Sequence, residues 1–264
     1  SPVIAMAGCH RRAVPMRPDG RGFAIDIDGL RRAVTPKTKA LIVNSPHNPT
    51  GMVASDDELR ALAELAVSAD LLVITDEVYE HLTFDGNRHV PLATMPGMFE
   101  RTITLSSAAK TFAMTGWKVG WATGPAELID AVRRTKQFLT YTSSGALQHG
   151  VAAGLALGDA PIAEIRSGLV AQRDLLIDVL TDAGFEAPVP EAGYFVVADA
   201  AWTGATNGLE FCQRLPEAVG VGAIPLSSFY LQPERAGALV RFAFCKRPDL
   251  IAEAGRRLAG LTRP

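Results

Sequence analysis

Lysine is scarce in this chain. Of 26 basic residues among 264, six are lysines: Lys37, Lys39, Lys110, Lys118, Lys136 and Lys246. Few exposed lysines therefore compete for any chemical role an amine has to fill. Cysteine is scarcer still. Cys9, Cys212 and Cys245 are odd in number and far apart, which argues for reduced thiols and against a disulfide framework. No apolar run approaches the roughly 18–20 residues of a membrane span, and no signal-peptide pattern opens the chain. Neither charge sign dominates: 26 basic against 28 acidic residues leave a net charge of −2. That balance gives no general attraction to nucleic acid or to an anionic membrane. The five histidines (His10, His47, His81, His89 and His149) form no i,i+4 pair and have no cysteine at ligand spacing, so no metal site is expected. There are no repeats and no low-complexity linker. With 48% hydrophobic and 20% charged residues, the composition is that of a globular protein with a sizeable core.

What is present is an alternation of strands and helices. Lys39–Asn44 is a short apolar run closed by Ser-Pro and reads as a buried strand. Residues 55–69 follow with helical period, Leu59, Leu62, Leu65 and Ala66 on one face. Ser55 with Glu58 three residues on reads as a capping box. Leu71–Thr75, Arg101–Leu105 and Val119–Thr123 are further strands, and 125–138 is helical. Continuous apolar strands separated by helices predict an α/β fold whose mostly parallel sheet is covered on both faces. The second half differs. A long helix over 160–183, closed by Gly184, leads to strands at 193–198, 221–225 and 239–245. Helices are expected near 209–215 and 248–261. The expected organisation is a large domain over 1–160 and a smaller α+β domain over 161–264.

In an open α/β sheet, ligands sit beyond the carboxyl ends of the strands. The first strand is followed by Ser45-Pro46-His47-Asn48-Pro49-Thr50-Gly51, the second by Asp76, Glu77 and Tyr79, the third by Ser106, Ser107 and Lys110. Taken singly, each has a plain explanation: a turn, a helix cap, a surface lysine. Three consecutive strand ends that deliver an amide, a carboxylate with a phenol, and a hydroxyl with an amine to one edge point instead to a site. Arg241 lies in the apolar strand near the C-terminus. Alternation puts it on one face with Ala243 and Cys245, opposite Phe242 and Phe244. An arginine inside such a strand requires an anionic partner.

SPHNPTG, ITDEVYEHLTF, SSAAKTFAMTGWKVGWATGP and LVRFAFCK, in this order, resemble the class I/II aminotransferases, pyridoxal-phosphate enzymes of fold type I. The resemblance covers the whole chain. It is most similar to the branch holding the kynurenine/glutamine-type and N-succinyldiaminopimelate aminotransferases. The resemblance implies that Lys110 forms the Schiff base and is the general base at the substrate Cα. Asp76 is implied to pair with the pyridine nitrogen, and Asn48 and Tyr79 to bond the cofactor's phenolic oxygen. Ser107 and Lys118 correspond to phosphate ligands. Many relatives have Arg where Lys118 stands, and lysine offers a point charge without the bidentate fork. Arg241 corresponds to the clamp on the substrate α-carboxylate. Trp117 and Trp121 are read as packing residues, and Tyr194 as core packing or at most a pocket wall.

The implied activity is ping-pong transfer of an amino group from an amino acid to a 2-oxo acid, with N-succinyl-LL-2,6-diaminopimelate and 2-oxoglutarate as the pair suggested by the branch. A cytoplasmic homodimer in lysine biosynthesis is implied with it. Two alternatives stay open on the same residues: a cysteine-conjugate β-lyase, and the aminotransferase-like effector domain of a transcription regulator. Family members carry a segment ahead of the position of Ser1, with a phosphate-binding loop and a ring-stacking aromatic that have no match here. The chain also lacks an initial Met. It is therefore expected to be N-terminally truncated, and as 264 residues alone to bind the cofactor weakly, show little activity and aggregate through its exposed sheet edge.

Overall fold

In the computed structural model, which describes residues 2–20 and 22–261, the chain opens with helix α1 (Pro2–Met6) and a hairpin of β1 (Arg17–Asp19) and β2 (Gly22–Ala24). Helix α2 (Ile27–Ala33) follows, capped by the Asp26 side chain, which accepts from the Gly29 N–H. Sequence patterning does not announce the hairpin, because three-residue strands are too short to display a period of two.

The large sheet takes β3 (Ala40–Asn44), β4 (Leu72–Asp76), β5 (Thr102–Ser107) and β6 (Gly120–Thr123) in that order. The first three are parallel and β6 is antiparallel. The register aligns Asn44 with Asp76 and Asp76 with Leu105, so the three strand ends reach one edge together. Helix α3 (Asp56–Ser68) connects β3 to β4. It begins at the capping box expected from sequence: Ser55 Oγ accepts from the Glu58 N–H, and Glu58 Oε2 accepts from the Ser55 N–H. Glu58 Oε1 also accepts from the Ile25 N–H at 2.7 Å, which ties the hairpin to the helix. Leu59, Leu62, Ala63 and Ala66 pack against Leu41, Val43 and Val73.

Helices α4 (Ala108–Thr111), α5 (Ala126–Leu139) and α6 (Gly145–Leu155) follow β5 and β6. The sequence reading does not contain α6, whose three glycines weaken its helical signal. One of them has a packing reason: a Cβ on Gly150 would lie 2.8 Å from the Trp117 ring. Helix α7 (Ala160–Asp182) then buries Leu169, Arg173, Leu176 and Leu180 along one stripe. Arg173 is satisfied by Asp85, Asp174 and the Pro190 carbonyl.

The second sheet is antiparallel, in the order β7 (Phe195–Asp199), β9 (Leu239–Ala243), β8 (Ile224–Pro225). Helix α8 (Gly208–Val219) lies between β7 and β8, and α9 (Pro248–Leu258) closes the fold. Helix α8 runs past Pro216 and stops at Gly220, whose φ of 69° is the left-handed helix-ending conformation. The core here is aromatic: Phe185 meets Trp202, Phe211 and Phe242 edge-on. Tyr79, Leu82 and Phe84, from the loop after β4, belong to this same core. The architecture is the expected α/β class, a mostly parallel central sheet with helices. Among the described residues no helix is long and apolar enough to cross a membrane.

Candidate active site

The loop after β3 is pinned by a side chain that sequence patterning passes over. The Asn44 amide donates to the Asp76 carbonyl at 2.8 Å and the Pro46 carbonyl at 3.2 Å, and its oxygen accepts from the Asn48 N–H at 2.9 Å. One residue thus fixes Asn48 relative to Asp76. Gly51 lets the loop close on the chain before β7. Its φ is +72°, and a Cβ there would lie 2.4 Å from Pro190 and 2.8 Å from the Ala192 carbonyl.

His47, in the same loop, shares a 2.8 Å hydrogen bond with Thr50. Burial pushes its pKa down from 6.5 to about 4. The folded chain therefore holds a neutral imidazole that the unfolded chain protonates. Because the unfolded state binds the extra proton, stability is intact above pH 6.5 and falls as the pH drops toward 4. His47→Gln should lose less stability than the parent over that window, measured as denaturation midpoints at several pH values. Parallel pH dependences would refute this origin.

Beyond β4, the Asp76 carboxyl is held above the usual carboxylate range. Burial is the main cause and the neighbouring Glu77 adds to it, against the Val78 N–H and Lys110. Its side chain takes one long bond, 3.4 Å from Val78 N. Glu77 points into the core and pairs with buried His89 at 2.7 Å. Tyr79 is buried, its ring edge-on to Tyr194 at 5.4 Å. Burial, then the neighbouring Tyr194, raises the Tyr79 phenol well above its ordinary value, so it stays protonated.

At the end of β5, Ser107 caps α4. Its hydroxyl accepts from the Ala109 N–H at 3.1 Å and donates to the Val119 carbonyl at 3.0 Å. Lys110 Nζ donates to Tyr194 Oη at 2.8 Å and lies 5.8 Å from the Tyr79 ring centre. Lys118 adopts a left-handed φ of 55° beside Ser107's partner Val119. Its side chain is exposed, without a hydrogen-bond or ion-pair partner among the described residues. Trp121 packs with Ala108, Val119 and Val151, whereas Trp117 is partly exposed.

Arg241 reaches the same place from β9. Phe242 is buried on the opposite face, as alternation requires. The expected anionic partner is not found among the described residues. Nη1 instead donates to Asn48 Oδ1 at 2.8 Å, and the guanidinium stacks 3.8 Å from the Phe195 ring centre and 4.9 Å from Phe229. Within the chain, aromatic faces and a neutral amide hold the guanidinium and leave its charge without an anion. Arg241 Nε is buried with no hydrogen-bond partner, and burial lowers the guanidinium pKa.

Asn48, Asp76, Tyr79, Lys110 and Arg241 converge, with Tyr194 as the sixth member. Ser107 bonds the carbonyl of Val119, the residue after Lys118, and among the described residues neither side chain hydrogen-bonds to this group. A cavity of about 430 Å³ is lined by Asn44, His47, Asn48 and Phe229 among others, without Lys110 or Asp76 in its wall. An under-satisfied carboxylate, an amine held by a single phenol and a cation with an orphaned N–H suit a small ligand that carries both charge signs.

The model of the family "Aminotransferase class I and II" matches residues 1–258. The chain belongs to the class I and II aminotransferases. It is therefore a pyridoxal-phosphate-dependent aminotransferase. It is 56% identical over 269 residues to a Mycobacterium tuberculosis protein named "Probable N-succinyldiaminopimelate aminotransferase DapC", covering 99% of this chain and 68% of that one. The solved structure of N-succinyldiaminopimelate aminotransferase from Mycobacterium tuberculosis superimposes with a TM-score of 0.96 at 57% identity, again over 99% and 68% of the two chains. Kynurenine–oxoglutarate transaminase 3 of Mus musculus is 36% identical over 96% of this aminotransferase and 61% of its own length.

Proposed function

We propose that this aminotransferase takes its amino group from N-succinyl-LL-2,6-diaminopimelate and passes it to 2-oxoglutarate in a ping-pong cycle. The observation that carries the reading is the convergence of Lys110, Asp76 and Arg241, three charged groups from three elements without an ion-pair partner among the described residues, on one strand-end edge. The 56% identity to the Mycobacterium tuberculosis relative supplies the donor.

The donor set fits pyridoxal phosphate. Asp76, buried and short of partners, gains a cationic N–H when it faces the pyridine nitrogen, and its negative charge keeps that proton on the ring. Asn48 and Tyr79 both have a polar atom for the phenolic oxygen. Ser107 and Lys118 would take the phosphate, a hydroxyl and a point charge. Bound pyridoxal phosphate supplies an electron sink for the charge that develops at the substrate Cα. Lys110 would hold the cofactor covalently, and its Nζ is the atom that would take the substrate Cα proton and give it up again. Arg241, already oriented by Asn48 and Phe195, offers its remaining N–H donors to the substrate α-carboxylate as a fork.

The reading includes two domains divided near residue 160, in keeping with the two separate sheets. It also includes a cytoplasmic homodimer. Phe138, Leu139 and Tyr141, at and just beyond the end of α5, are each at least 74% exposed, an apolar surface suited to a second copy.

The test is a donor and acceptor screen on the purified protein with added cofactor. Glutamate should form from 2-oxoglutarate with N-succinyl-LL-2,6-diaminopimelate faster than with kynurenine or glutamine. Pyruvate and ammonia released from cysteine conjugates without a 2-oxo acid, in place of amino transfer, would overturn the reading.

A further inference from the structure

Among the described residues, the Lys110 amine has a single hydrogen-bond partner, and it comes from far along the chain. Tyr194, 84 residues away just before β7, accepts from Nζ at 2.8 Å. Its ring also stands edge-on to Tyr79 and against Phe195, at 4.5 Å between centres, so the phenol cannot swing away. Lys110 Nζ thus lies beside both aromatic rings, bonded to the Tyr194 oxygen and 5.8 Å from the Tyr79 ring centre. Asp76 acts on Lys110 only through space.

We propose that Tyr194 is a catalytic residue of the amino transfer: its phenol oxygen holds the free Lys110 amine in place between proton transfers. This rests on the reading of Lys110 as the cofactor-retaining residue and general base. A lysine released from a covalent bond has four rotatable side-chain bonds and would otherwise wander from the reacting carbon. The Tyr194 oxygen accepts from an N–H whether the amine is neutral or charged. A proton taken by Nζ stays on Nζ until Nζ delivers it, and Tyr194 only accepts a hydrogen bond from that amine. Tyr194 therefore fixes position and exchanges nothing.

Tyr194→Phe removes one oxygen and keeps the ring contacts. In cofactor-free protein, competitive acylation should label Lys110 several-fold faster in the variant. Lys37, Lys39, Lys136 and Lys246 serve as internal references and should not change. With cofactor, kcat should fall roughly tenfold to a hundredfold, while KM for the amino donor stays within about twofold. Borohydride reduction should still fix the cofactor to the Lys110 peptide in both proteins. Unchanged Lys110 acylation and unchanged kcat, with the cofactor fixed at Lys110, overturn the role of Tyr194 alone. Failure to fix it there in the parent protein overturns the reading of Lys110 and this inference with it. Tyr194→Leu carries the same expectation should the Phe variant disturb the reference lysines.

Discussion

Lys110→Ala yields a protein that no longer carries pyridoxal phosphate through borohydride reduction and acid denaturation, and transfers amino groups roughly 10²–10⁴-fold more slowly. Both losses follow from one atom. Among the described residues, Nζ is the one lysine amine at the strand-end edge where Asp76, Asn48 and Arg241 meet. Lys136, on α5, is spent on Thr140 and the Tyr141 carbonyl. Lys118 is exposed beside Val119. In the parent protein, peptide mass spectrometry after reduction should find the cofactor on Lys110 and on no other lysine. The fold should survive the change. Nζ is half-buried, makes one hydrogen bond, and leaves behind a Tyr194 ring still packed edge-on against Tyr79. The melting temperature should stay near the parent value, which separates a lost reaction from a lost structure. Cofactor that persists in Lys110→Ala after reduction refutes the assignment.

The site was legible in the sequence wherever its residues follow strands directly. Asn48, Asp76 and Lys110 lie at or within a few residues of three strand ends, and parallel pairing brings such ends to one edge whatever the side chains are. The capping box at Ser55 was legible because both partners lie within one helical turn. What escaped depends on contacts between distant segments. Tyr194 meets Lys110 across 84 residues, and Arg241 meets Asn48 across 193. No period or spacing encodes such pairs. Asn44 escaped for another reason: as the last residue of a strand it looks like a boundary, and its role emerges only from the three hydrogen bonds it makes beyond that boundary. The sequence showed that Arg241 needs an anion, but not that aromatic faces and a neutral amide hold its guanidinium within the chain, which leaves its charge uncompensated there.

That uncompensated charge sets the second large effect. Arg241→Ala should raise KM for every amino acid donor by roughly 30- to 4,000-fold, the equivalent of about 2–5 kcal/mol for a buried, hydrogen-bonded charge pair. The change in kcat should be smaller, because the α-carboxylate is bound alike before and during reaction. Arg241→Lys should fall between, since an ammonium keeps the charge but loses the fork and the flat stacking surface on Phe195. Stability should move little or rise. The parent structure buries a guanidinium Nε without a partner and draws its pKa down, so removal relieves a desolvation cost. An amine substrate that lacks the α-carboxylate provides the control, for its KM should be nearly the same in Arg241→Ala and the parent. A structural salt bridge in place of a substrate clamp would give the reverse pattern, with a lower melting temperature and equal effects on both substrates. An unchanged amino acid KM would place the carboxylate elsewhere, and the orphaned Nε would then be strain in β9 with no bearing on the reaction.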